Sequence, residues 1–130
     1  MSNHLRHGFG SVRPYLHGPV PLIDFIKQVF GASELERHEF GPDSFHVELQ
    51  VGDSIIVVEA GELPEDVQVW TNTIYVYVDD VDTTYEKAIQ LNARSISPPV
   101  DKPYSERQAG FYDAAENTWW ISTYNREQSA

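Results

Sequence analysis

The chain has 130 residues and a net charge of -11, with 20 acidic against 9 basic side chains. Its 41% hydrophobic and 12% aromatic content supplies the core of one domain and excludes a wholly disordered chain. A surface this acidic repels phosphate backbones and anionic lipid, and the absence of cysteine excludes disulfides, thiolate metal sites and thiol nucleophiles.

Residues 1–10 carry His4, Arg6, His7, Gly8 and Gly10 without apolar period and read as a flexible lead-in. They hold no apolar signal segment, and no run in the chain approaches the roughly 20 apolar residues of a membrane span. The expectation is a cytoplasmic protein, with residues 11–130 as a single domain. Residues 11–17 alternate Val12, Pro14 and Leu16 against Ser11, Arg13, Tyr15 and His17, a strand that Pro14 pushes to an edge. Pro19 and Pro21 suit a helix entry. Leu22, Phe25, Ile26 and Val29 follow at helical spacing, and Gly31 stands where a C-terminal cap belongs. Residues 33–40 read as a strand. Residues 45–51 alternate cleanly, and the Gly52-Asp53 turn leads into a strand over 54–59. Residues 61–71 form a loop. Glu59, Glu62, Glu65 and Asp66 are read as its solvated acidic side chains, and Trp70 stands at its end.

The order then repeats. Residues 73–78 alternate as a strand, and Asp80 can cap a helix carrying Val81, Tyr85, Ala88 and Leu91, closed by Asn92. Residues 93–97 read as a short strand and 98–107 as a proline-containing loop with Tyr104. Residues 108–112 and 118–124 form a hairpin across 113–117. Each half is therefore strand, helix, strand, strand, strand. Val12 answers to Ile74, Phe30-Gly31 to Leu91-Asn92 and Ser54 to Thr118. The expected fold is α+β: two βαβββ modules, 11–60 and 73–124, with mainly antiparallel sheets forming a cleft.

Strand parity separates the side chains that face the helices from those that do not. Facing away are Arg13, Tyr15 and His17, then His46, Glu48 and Gln50, then Tyr75 and Tyr77, and finally Trp120, Ser122 and Tyr124. Aromatic rings mixed with a few polar groups suit a small-molecule site, and equally a dimer contact. Tyr75, Tyr77 and Trp120 can stack on flat rings, and Glu48, Glu59 and Asp113 can attract a cation. Arg13 can pair with Glu48 or meet an anionic group. His46 and Glu48 share a face at i, i+2, with His17 or Glu59 as further metal donors. Such a pair is more often a hydrogen-bonded histidine beside a paired carboxylate.

The segments IDFIKQVFGASELER, FHVELQVGDSIIVVEAG, YVYVDDVDTTYEKAIQLNA and GFYDAAENTWWIST occur in that order. Together they resemble the glyoxalase/bleomycin-resistance/extradiol-dioxygenase (vicinal oxygen chelate) superfamily, and the second is close to the HAELxIGDS segment of its PhnB-like branch. The last replaces the family's RDPxGxxWxI ending, with Ala114 and Glu116 in place of its Pro and Gly. The resemblance implies a homodimer and, in the enzymes, a divalent metal held by side chains from the first and last strand of each module. Those positions fall on Ser11, Ile56, Thr73 and Trp120, which supply no convergent donor set. The resemblance then implies the metal-free, antibiotic-binding members, with no cofactor. The function expected is metal-independent binding of a small organic molecule, cationic or aromatic, in the manner of antibiotic sequestration. Its contacts would be Arg13, Tyr15, His46, Glu48, Tyr75, Tyr77 and Trp120. The alternative is a metal-dependent glyoxalase-type lyase, isomerase or dioxygenase. A third reading is an interaction module whose aromatic face is the dimer contact. Neither nucleic acid nor membrane is an expected partner, and whether the chain catalyses a reaction is left open.

Overall fold

A hydrophobic strand or helix buries its apolar face only by packing against another element, and here each half of the chain does so within itself. The computed structural model describes residues 4–62 and 68–125. Glu65 and Asp66, expected in an acidic loop, lie outside those residues. The chain divides into two compact units between Trp70 and Thr71.

The first module runs from a 3-10 turn (Arg6–Gly8) through β1 (Tyr15–Gly18), α1 (Pro21–Phe30), β2 (Ser33–Glu39) and β3 (Phe45–Val51) to β4 (Ser54–Ala60). Its sheet has the order β1-β4-β3-β2. β1 is parallel to β4 and the other pairs are antiparallel. Pro21 opens α1, and Gly31 closes it in the left-handed conformation at φ 64°, a geometry only glycine adopts at little cost. α1 packs on β3 and β4. Leu22, Ile23, Ile26 and Val29 meet Leu16, Val47, Leu49, Ile56 and Val58 in one buried layer.

The second module repeats this plan with β5 (Thr73–Tyr77), α2 (Val81–Gln90), β6 (Arg94–Lys102), β7 (Glu106–Tyr112) and β8 (Thr118–Tyr124) in the order β5-β8-β7-β6. Asp80 caps α2 by accepting from the Thr83 amide at 3.2 Å. α2 lies on β6, β7 and β8 over Ala109, Phe111, Trp119 and Ile121. The expected α+β pair of βαβββ modules is the observed architecture. No helix among the described residues is long and apolar enough to cross a membrane.

Three expectations need correction. The first strand begins at Tyr15, not Ser11, and Val12 is 85% exposed. Pro14 has no amide to donate, and the chain before it carries left-handed Gly8 and Gly10, so the alternation over 11–14 forms no strand, although the Pro14 carbonyl accepts from the Val57 amide at 2.9 Å. The helix-side residue that answers Ile74 and Val76 is therefore Leu16, not Val12. Second, Ser54 does not answer Thr118. Val47 pairs Val58 and Leu49 pairs Ile56 on the α1 side, whereas Trp119 and Ile121 carry the α2 side of β8. With Leu16 answering Ile74, Val57 answers Thr118, so the repeat is out of phase by an odd number of residues there, which turns Ile56 into the core. Third, β6 continues through Pro98 and Pro99 to Lys102 as an edge strand with register shifts. An outer strand can spare those two amides.

Candidate functional site

The face of the first sheet turned away from α1 carries Tyr15, His17, Glu36, His38, His46, Glu48 and Glu59. Their pairing is dense. Tyr15 donates its hydroxyl to Glu59 Oε1 at 2.6 Å, and His46 Nδ1 lies 2.5 Å from the same oxygen. Burial, reinforced by the bond to that carboxylate, pushes the Tyr15 hydroxyl up to about 12. The other nitrogen of His46 is 3.6 Å from Glu48 Oε2. His17 holds its ring 5.1 Å from that of Tyr15. His46 is thus a bonded histidine between two carboxylates. Arg13 does not stand over this face as a free cation. It donates to the carbonyls of Arg6 (2.5 Å), Phe9 (2.9 Å) and Gly10 (2.7 Å), and its remaining terminal nitrogen is 3.7 Å from Glu48 Oε1. Those bonds fasten residues 6–10, expected from sequence to be a flexible lead-in, to Arg13 in the segment that leads into β1.

The corresponding face of the second sheet is aromatic. Tyr75, Tyr77, Trp120, Ser122, Glu106 and Gln108 share it by register. The Tyr75 and Tyr77 rings meet edge to face at 5.6 Å. Both donate to the Glu106 carboxylate, Tyr75 to Oε1 and Tyr77 to Oε2 at 2.7 Å, and Ser122 donates to Oε1 at 2.7 Å. These bonds hold the Glu106 carboxyl below its usual range, and the bond to Glu106 raises Tyr77 to about 12. Gln108 donates to the hydroxyls of Tyr75 (3.1 Å) and Tyr104 (3.4 Å). The Trp120 ring lies against Gly110, its partner on β7, where an added Cβ would fall 2.5 Å from the ring. Gly110→Ala is therefore expected to cost about 1–3 kcal/mol by overpacking and to change the tryptophan emission, read together in a denaturant titration.

Asp113 is excluded from ligand contact. It is 5% exposed and accepts from the amides of Ala115 and Asn117, the Asn117 side chain and Trp119 Nε1. It locks the β7–β8 turn rather than attracting a cation.

Solved structures of known proteins superpose on this chain. TioX from Micromonospora sp. ML1 matches with a TM-score of 0.68 at 23% identity, over 88% of this chain and 99% of that one. A glyoxalase/bleomycin resistance protein/dioxygenase family enzyme from Burkholderia phytofirmans PsJN matches with a TM-score of 0.68 at 25% identity, over 87% and 95%. This chain has the glyoxalase/bleomycin-resistance fold. The fosfomycin resistance protein FosX from Listeria monocytogenes, solved with Mn(II) and sulfate, shares it with a TM-score of 0.64 at 16% identity, over 92% and 96%. No family model and no curated protein matches the sequence.

Within this fold, the four positions that the resemblance links to a metal do not fit one. Ser11 precedes the first strand, Ile56 is buried against α1, Thr73 has only a hydroxyl, and Trp120 covers Gly110 with its ring. The acidic residue of β4 on the polar face is Glu59, already bonded to Tyr15 and His46. Sequence reading missed Glu106, which it put in a loop, and Glu36, which it did not draw into a site; His7, which with His4 could touch a metal, it set aside as part of a mobile N-terminus, whereas the structure places it against Glu36 and Glu48. The alternation of Glu106, Gln108 and Gly110 with Arg107, Ala109 and Phe111 was the available signal for Glu106.

Proposed function

We propose that the chain is a glyoxalase/bleomycin-resistance superfamily member, by its FHVELQVGDSIIVVEAG segment of the PhnB-like branch, that binds a small organic cation on the β5–β8 face. The ligand meets side chains directly, with no metal between, in the manner of antibiotic sequestration. The observation that carries this reading is the convergence of Tyr75, Tyr77 and Ser122 hydroxyls on Glu106, beside exposed aromatic rings. A carboxylate has about four acceptor positions, and these hydroxyls use three, so Oε2 keeps capacity for a ligand's N–H. Tyr77, 63% exposed, and half-exposed Tyr75 offer ring faces to an adjacent cation, a contact worth roughly 0.5–2 kcal/mol per ring. The surplus of acidic side chains in the chain favours approach of the same charge. A homodimer, as the family resemblance implies, accompanies this reading, and sedimentation tests it.

The test is calorimetric titration with a panel of cationic aromatic antibiotics, with and without a chelator. A ligand of this class binds equally in both conditions, and Glu106→Gln weakens it at least tenfold. Chelator-dependent binding, or an unchanged affinity in Glu106→Gln, defeats the reading and turns attention to a metal-dependent glyoxalase-type reaction. The pH dependence follows from the depressed Glu106 carboxyl. Affinity for a permanently charged ligand holds as pH falls through the ordinary glutamate value of 4.5 and declines only below it, as Glu106 takes up its proton.

A further inference from the structure

We propose that His7, Glu36 and Glu48 of the first module form a binding site for a divalent transition-metal cation. It is distinct from the four positions that the resemblance links to a metal and independent of the ligand site on the second module. The three side chains come from separate elements: the 3-10 turn, β2 and β3. Their donor atoms all lie within 4.8 Å of one another. His7 Nε2 stands 3.3 Å from Glu36 Oε1 and 2.7 Å from Glu48 Oε1. Around a cation with bonds of about 2.0–2.2 Å, neighbouring donors sit roughly 3–3.6 Å apart, so the His7–Glu36 edge fits already, the His7–Glu48 edge is a few tenths of an ångström short, and the third edge lies within 4.8 Å.

Glu48 supplies the independent observation. The residue is only 5% exposed, and its Oε1 is buried without a hydrogen bond, although His7 and Arg13 lie within ion-pair distance. Buried carboxylate oxygens are normally bonded, because desolvating one without a partner is costly. A cation at the centre of the triangle satisfies that oxygen. Glu36 is arranged to contribute as well. Its Oε2 is taken by Arg6 at 2.6 Å and by His38, which leaves Oε1 turned toward His7.

The surroundings hold the donors in place. Arg13 clamps the carbonyls on both sides of His7, and His7 itself holds the left-handed conformation at φ 70°. His46 stands outside the triangle: its Nε2 lies 3.6 Å from Glu48 Oε2, the oxygen turned away from His7, and its Nδ1 is held by Glu59. One imidazole and two carboxylates suit Mn(II), Fe(II) or Zn(II) better than Mg(II), which favours oxygen ligands and retains water. Bound metal would tie the N-terminal turn to β2 and β3.

The test uses the full chain, stripped with chelator and titrated with Mn(II) and Zn(II) by calorimetry, with Mn(II) spin resonance as a second readout. One equivalent binds to the wild type. His7→Ala and Glu48→Gln each weaken binding at least tenfold, and His17→Ala, on the same sheet face outside the triangle, leaves it unchanged. Circular dichroism checks folding. Should Glu48→Gln not fold, His7→Ala and Glu36→Gln on more exposed positions carry the same comparison. Failure of the wild type to bind either metal, or equal binding in His7→Ala, overturns the proposal. Neither result bears on the antibiotic titration, whose chelator arm and Glu106 variant involve the other module.

Discussion

Trp119→Ala is expected to lower the stability of the second module by about 3–5 kcal/mol, read as a fall in the urea midpoint. Trp119 is fully buried and is the largest side chain in that state. Its ring lies in the layer between β8 and α2 with Phe111, its partner on β7, and Ile121. Truncation removes the transfer energy of the ring and leaves a cavity that β strands tied by ladders on both sides cannot collapse into. Trp119→Phe keeps much of the volume but loses the Nε1 donor, so it should fall between wild type and Trp119→Ala. A midpoint for Trp119→Ala close to wild type would show that the module does not depend on this layer.

Asp113→Ala should cost about 2–4 kcal/mol, because it strands several buried donors at once. Its Oδ1 accepts from the Ala115 amide at 2.8 Å and the Asn117 amide at 3.1 Å, and its Oδ2 from Asn117 Nδ2 at 3.0 Å and Trp119 Nε1 at 2.8 Å. Asn117, held this way, accepts from the Asn72 amide at 2.9 Å, which fixes the entry to β5. Asp113→Asn keeps one acceptor and should recover part of the loss. Because Asp113 and Trp119 touch, the double variant should lose less than the sum of the two single losses. Additive losses in that cycle would mean that the 2.8 Å bond between them contributes no coupling.

The candidate sites were legible in part. Alternation in 45–51 and 73–77 is strict, so the period alone assigns His46, Glu48, Tyr75 and Tyr77 to the polar faces. β4 reads Ser-Ile-Ile-Val-Val-Glu and is apolar on both faces, so no alternation marks its phase, and Ile56 aligns with a position that faces the other way. Arg13 and Asp113 carry charges that invite a ligand-binding reading, yet their hydrogen bonds go to nearby backbone and turn atoms. A charged side chain in sequence does not disclose whether the fold has already satisfied it.

Local patterns were enough to define the two modules, the two helices with Gly31 and Asp80 at their ends, and the polar side of each alternating strand. These features depend on periods of 2 and 3.6 residues and on capping chemistry within a few positions. Where β1 begins, which face Ile56 takes, and which carboxylates meet which donors emerge only when the sheets assemble. Glu106 lies 31 residues from Tyr75 and Glu36 lies 30 from Arg6. Strand register brings such groups together, and register is set by the whole sheet closing over its helix rather than by any local run of residues.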